Sequence, residues 1–261
     1  ETGELLSVVG SVDFWNAGID GAYNAALAQR QPASTFKPFV YTAAFLQGPV
    51  PGHPNGITAA TMLYDVPIEF DNGGQPYTPV NIDRQYHGPM TVRDAQANSY
   101  NVPPVQVANL IGLGPIIRTA HRLGINSLTH VDQYGLALAL GSGEASLLDM
   151  VYAYNVFNTG GYMVGMPVHE DQDAPGFRTL NPVAVLRIED ADGRVLWEYG
   201  AETNTYRRRL ILEPALAYIM TDMLADDEAR QPAFGADSPL DLSRPAAIKT
   251  GTTNDNRDSW A

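Results

Sequence analysis

Apolar residues cluster at a few places along this chain, separated by stretches broken by glycine, proline and asparagine. Phe39, Val40, Ala43 and Ala44 share one helical face, and Gly48-Pro49 stops the run. Pro32 suits a first helical turn, and Pro38 is tolerated if the helix starts close to Ser34, because the first four N–H groups lack partners anyway. A helix this apolar belongs at the centre of the fold. Further helices are predicted over 91–97, 105–111, 115–123 and 144–158, the last with Leu147, Leu148, Val151, Tyr152 and Tyr154 near helical spacing. Glu213-Pro214 opens another, carrying Leu216, Ile219, Met220, Met223 and Leu224 on one face.

Strands are predicted at 5–10, as an apolar run bounded by glycine, and at 65–70 within an otherwise loop-rich stretch, 49–89. Residues 183–188 and 195–199 flank Asp190-Ala191-Asp192-Gly193 and read as a β-hairpin. A last strand is expected over 245–250. The mixture implies an α/β (α+β) unit, with 261 residues within the range of one large domain. Apolar runs such as 136–140 are far too short to cross a membrane.

Composition narrows the chemistry. The net charge is −13, with acidic clusters at 170–173, 189–192 and 226–228, which argues against nucleic acid as a partner. There is no cysteine, so disulfides, thiolate catalysis and zinc-thiolate sites are excluded. The five histidines are scattered; His169 beside Glu170 and Asp171 reads as a solvated loop, not a metal site. No metal and no cofactor is expected.

The two lysines carry the strongest signal. Lys37 follows Ser34 by three residues, in Gln31-Pro32-Ala33-Ser34-Thr35-Phe36-Lys37-Pro38-Phe39, so one helix turn supplies a nucleophile and a base. Lys249 opens Lys249-Thr250-Gly251-Thr252-Thr253. With this composition a serine precedes a lysine by three in roughly one case in 25, and Thr-Gly follows a lysine in roughly one in 170. Both together are improbable as noise. Ser99-Tyr100-Asn101 lies between them; alone, Ser99 and Asn101 read as ordinary polar residues at a helix end.

Ser-x-x-Lys, Ser-x-Asn and Lys-Thr-Gly, in that order, resemble the transpeptidase domain of a penicillin-binding protein. The flanks resemble the bifunctional class A proteins, whose segment reads Arg-Gln-Pro-Gly-Ser-x-Phe-Lys-Pro; here Ala33 stands for that glycine. Asn98 to Pro103 and Lys249 to Asp258 are similar to the same class, and the resemblance runs nearly end to end over 1–261. It implies a β-lactamase-like fold, a five-stranded antiparallel sheet flanked by helices. Against that fold, edge pieces are expected to be missing at both chain ends. The first strand and the last two are expected to be absent, leaving 5–10 and 245–250 as open edges.

The resemblance also implies roles. Ser34 is the nucleophile and Lys37 its base, with Ser99 and Lys249 completing the catalytic group. Asn101, Thr250, Gly251 and Thr252 bind substrate, and the backbone N–H groups of Ser34 and Thr252 form the oxyanion hole. An ordinary lysine, with a pKa near 10.4, is charged at neutral pH. Burial and a second cation, Lys249, both favour the neutral form that a base requires. The implied reaction is D-alanyl-D-alanine transpeptidation of peptidoglycan stem peptides onto an acceptor amine, with β-lactams as covalent inhibitors. A membrane anchor and a glycosyltransferase domain are expected in the full-length protein, at the extracytoplasmic face of the bacterial membrane.

Two alternatives stand beside this. A serine β-lactamase of one class uses Glu-x-x-Leu-Asn to activate water, and the nearest match, Phe177 to Asn181, has phenylalanine for the glutamate. A non-catalytic β-lactam sensor would stop at the acyl-enzyme.

Overall fold

The computed structural model describes residues 2–200, 206–253 and 256–261. Its centre is a 3-10 turn, Ala33–Phe36, running directly into α1, Lys37–Phe45. Every residue of α1 from Lys37 to Ala44 is buried, as expected of a helix with no polar face toward water. Pro38 sits in the first turn of α1, where its missing N–H costs nothing.

The next stretch supplies short strands and then helices. β1 (Met62–Asp65) pairs antiparallel with β4 (Gly88–Thr91), while β2 (Phe70–Asp71) and β3 (Pro76–Tyr77) form a small hairpin between them. The strand expected over 65–70 is therefore broken: Asp65 ends β1 and is buried, Phe70 opens β2, and 66–69 lie in neither. α2 (Val92–Ala97) is capped by Thr91, whose hydroxyl accepts from the Asp94 N–H while the Asp94 carboxylate accepts from the Thr91 N–H. α3 (Val102–Ile111) carries prolines in its first turn, and α4 (Leu113–Leu123) ends at Gly124. A 3-10 segment, Leu136–Leu140, takes the apolar run. α5 (Leu147–Asn158) starts three residues later than expected, because Ser146 caps it through the Asp149 N–H.

The second half adds β5 (Tyr162–Pro167), β6 (Leu180–Asn181), β7 (Arg187–Glu189), β8 (Val195–Glu198) and β9 (Arg207–Leu210). β5 lies between β6 and β9 in a three-stranded antiparallel sheet, and β7 pairs with β8 as the expected hairpin. α6 (Pro214–Leu224) and α7 (Asp227–Phe234) follow, and β10 (Gly251–Thr252) pairs with β11 (Ser259–Trp260). One core joins α1, α3, α4, α5 and α6 through residues such as Phe39, Ile116, Val105, Phe157 and Met220.

Two expected strands are not formed. Residues 5–10 and 245–250 have no ladder; Leu5 N–H reaches Val183 O at 2.8 Å and Ile248 N–H reaches Leu224 O at 2.9 Å. A strand exists only where a neighbour accepts its N–H groups, and neither segment has one along its length. The central sheet is accordingly not continuous among the described residues. The start of the strand after Lys249-Thr250-Gly251, expected to be absent, is present as β11.

Candidate active site

The nucleophile turn is held from several directions. Arg30 and Ala145 exchange backbone hydrogen bonds at 3.0 and 2.9 Å, and Arg30 Nε meets Asp258 Oδ1 at 3.0 Å. Tyr154 OH donates to Thr35 O at 2.7 Å from α5. Ala33 adopts φ +50, the left-handed region that costs an L-residue about 1–2 kcal/mol, which explains why the similar segment carries glycine there.

Gly141 backs Ala33 closely: Ala33 N–H donates to Gly141 O at 3.3 Å, and a Cβ on Gly141 would stand 2.1 Å from Ala33 O. Gly141 also has φ +77. Gly141→Ala is therefore expected to cost at least about 2 kcal/mol and to slow labelling of Ser34 by a fluorescent penicillin, because the Ala33 carbonyl must move. A melt and a labelling time course both equal to wild type would refute this.

The three motifs converge. Ser34 lines a cleft of about 470 Å³ together with Ser99, Thr250, Gly251 and Thr252. A second arm of about 300 Å³ lies on the other side of Ser34, lined by Asn101, Gly141 and again Thr252. Lys37 is fully buried; its Nζ donates to Ser99 O at 2.6 Å, to Asn101 Oδ1 at 2.7 Å and to Ser99 Oγ at 3.4 Å. Lys249 Nζ donates to Ser99 Oγ at 2.7 Å and to Thr250 O at 2.8 Å. Ser99 Oγ thus stands between both amines. Ser99 itself holds φ +59, a strained backbone that turns its carbonyl and hydroxyl toward the lysines.

Ser34 and Lys37 share the turn as the spacing implies, but no hydrogen bond joins their side chains, since the amine is engaged by Ser99 and Asn101. Such contacts often close only when substrate arrives. Burial lowers the Lys37 pKa well below the ordinary lysine value, and the charge of Lys249 lowers it further. Lys249 is brought down to about 7, first by burial and then by the Arg230 cation. With Lys37 neutral, Arg230 is the cation that Lys249 still feels.

Gly251 is required by packing: a Cβ there would sit 2.7 Å from Pro32 O and 2.9 Å from Thr35 Cγ2. The last motif therefore lies directly against the nucleophile turn. Thr253 N–H bonds Asp258 O at 3.1 Å. Antiparallel pairing alternates, so Thr252 N–H points away from β11. Thr252 is exposed and lines both arms of the cleft, whereas Thr250 is half-buried. Residues 254 and 255 of the similar stretch lie outside the described residues.

Several supporting residues lie outside the three motifs. Asn81 Oδ1 accepts from Asn101 N–H at 2.7 Å, and its amide donates to Asp65 Oδ2 at 2.8 Å. Asp65, fully buried, also accepts from His87 N–H at 2.9 Å and contacts His87 Nδ1 at 2.8 Å. The His87 ring stacks on Tyr100 at 4.1 Å, between Ser99 and Asn101. Asn98 ties the same loop to α7, donating to Ala229 O at 2.7 Å and accepting from Ala233 N–H at 2.9 Å. These partners are 13 to 135 residues apart, so no local spacing reveals them. Phe177, at the glutamate position of the β-lactamase-like segment, stacks on His121 at 4.2 Å and lines a pocket that does not include Ser34. His169 contacts Asp171 on an exposed loop, and no cluster able to hold a metal occurs among the described residues.

Comparison with known proteins shows the family. The family model of the penicillin binding protein transpeptidase domain matches residues 1–259. Penicillin-binding protein 1A of Neisseria lactamica is 34% identical over 263 residues, covering 100% of this chain and 29% of that protein. Its counterpart from Rickettsia bellii is 29% identical over 276 residues, covering 99% of this chain and 31% of that protein. The chain thus spans under a third of the length of these curated relatives. Penicillin-binding protein 1A from Haemophilus influenzae superposes with a TM-score of 0.62 at 23% identity, covering 90% of this chain and 36% of that one. PonA1 from Mycobacterium tuberculosis in complex with penicillin V gives 0.66 at 23% identity, covering 88% and 55%.

Proposed function

The chain belongs to the penicillin-binding protein transpeptidase family, and from that premise we propose that it cross-links peptidoglycan stem peptides through an acyl-enzyme on Ser34. The fold is the penicillin-binding-protein and β-lactamase-like one. The observation that carries the site assignment is the meeting of Lys37 and Lys249 on Ser99 Oγ beside Ser34.

In this reading neutral Lys37 takes the Ser34 proton as Oγ attacks the carbonyl of the penultimate D-Ala. The oxyanion is held by the N–H groups of Ser34 and Thr252. Collapse breaks the peptide bond, and Ser99 passes a proton from the lysine pair to the leaving D-Ala amine. The Lys249 cation, Thr250 and Thr252 hold the substrate carboxylate, Asn101 holds the peptide backbone, and Gly251 permits the close approach. An acceptor amine then attacks the ester through the second arm of the cleft, and Ser34 recovers its proton. A β-lactam follows the acylation half and stays attached. The full-length protein is proposed to act at the extracytoplasmic face of the membrane, with an anchor and a glycosyltransferase domain.

Among the described residues, no glutamate lines either arm of the cleft beside Ser34, which supports a long-lived adduct. Intact mass after incubation with a penicillin should show one adduct that persists for many minutes, and rapid turnover of nitrocefin would count against this. A stem peptide ending in D-Ala-D-Ala, supplied with an amine acceptor, should yield free D-Ala and a new amide. Adduct formation without any amide product from the peptide would favour the sensor reading.

A further inference from the structure

We propose that the pocket at the far end of α1 is a binding site for phosphate-bearing anions. It encloses about 590 Å³, more than the 470 Å³ cleft beside Ser34, and the two share no lining residue. Four of the chain's fourteen arginines line it: Arg118, Arg122, Arg178 and Arg209. No carboxylate lines it. The charge of the whole chain is −13, so this local excess of cations runs against the molecule's balance.

The arginines are held on three elements. Arg178 forms the floor: it pairs with Asp149, donates from Nε to Asn181 Oδ1 at 2.8 Å, and donates to Gly124 O at 2.9 Å. Its charge is already met. Arg118 and Arg122 stand four apart on α4, where like charges repel. Arg209 comes from β9, opposite Met163 in the register. None of these last three makes a hydrogen bond or ion pair with a described residue. Elsewhere arginines do find carboxylates, as Arg93 does with Asp222 and Asp226 and Arg230 with Asp227.

Three unpaired guanidinium groups around a concavity match an anion of charge −2 or more. The planar fork of arginine suits phosphate oxygens, which it can hold bidentately. The pocket volume fits a small ligand, and Phe177, Leu210 and Ile211 offer an apolar wall to whatever carries the phosphate. Arg122 alone has a competing explanation, because a cation in the last turn of α4 complements the helix dipole. That explanation does not reach Arg118 or Arg209. The same chemistry could be presented by a free diphosphate or by the headgroup of an anionic lipid.

The test is calorimetric titration of the protein with inorganic pyrophosphate at low salt, beside flotation with phosphatidylglycerol and phosphatidylcholine vesicles. Saturable pyrophosphate binding is expected, weakened about tenfold or more by each of Arg118→Gln, Arg122→Gln and Arg209→Gln. Arg244→Gln, at an exposed arginine outside the pocket, should leave it unchanged. The rate of Ser34 labelling by penicillin should stay at the wild-type value in all four. Flotation with phosphatidylglycerol alone, lost in the same three variants, would support the site with a lipid as the source. No binding by either probe up to about 10 mM overturns the proposal. So does binding that survives the triple variant, or a lowered melt with unchanged binding, which would leave only a helix-dipole role.

Discussion

Ser34→Ala should abolish the penicillin adduct and lower acyl transfer by about 10⁶-fold, the scale seen when a catalytic serine is removed elsewhere. The fold should barely register the change. Ser34 is almost fully buried, yet its hydroxyl makes no hydrogen bond with a described residue, so alanine leaves no partner stranded. The melt should stay within about 1 kcal/mol of wild type. Ser99→Ala provides the contrast. Its hydroxyl accepts from Lys249 at 2.7 Å and faces Lys37 at 3.4 Å, so removing it takes one of the two acceptors of the buried Lys249 amine and should lower activity and stability together. Fluorescent-penicillin labelling with peptide mapping reads the first effect, and a denaturant titration reads the second. A label that survives Ser34→Ala would move the nucleophile elsewhere.

The parts of this molecule that sequence reveals are those whose cause is local. α1 was legible because its apolar residues leave no polar face, and it is buried from Lys37 to Ala44. The motif serines and lysines were legible because their spacing is a turn of helix or a single strand. The departure at Ala33 was visible as a residue, but only the backbone shows its meaning, a left-handed φ braced by Gly141. What failed depends on distant partners. Residues 5–10 and 245–250 have strand-like composition but no neighbour to pair with, and a strand is a property of two segments. The Asp65, Asn81 and His87 network behind Asn101 is likewise assembled from separate loops. The arginine pocket gathers α4, β9 and the Phe177 loop, so the run Arg207-Arg208-Arg209 alone discloses nothing of it.

The paired lysines should write themselves into the pH dependence of stability. In the folded protein the Lys249 pKa is about 7, against an ordinary 10.5. Between those values the unfolded chain carries a proton on Lys249 that the folded chain lacks. Stability therefore rises with pH by about 1.4 kcal/mol per unit across this window, then levels above it. The whole span amounts to about 5 kcal/mol, a large share of a typical total stability of about 5–15 kcal/mol. Lys37 is displaced in the same direction, so its contribution has the same sign. Burial moves the Tyr41 and Tyr154 hydroxyls the other way, upward from 10, so their effect appears only at the alkaline end.

Lys249→Met isolates the lysine. It discards the bonds to Ser99 Oγ and Thr250 O, which shifts stability by an amount that does not vary with pH. It also removes the titrating group, so the wild type should gain on the variant by about 1.4 kcal/mol for each pH unit from about 7.5 to 9.5. Urea unfolding at three pH values in that range measures the gain directly. A difference that stays constant across the range would mean that Lys249 keeps its proton in the fold and would overturn its share of the linkage, while leaving Lys37 the neutral base, since burial and the Lys249 charge both lower the Lys37 pKa.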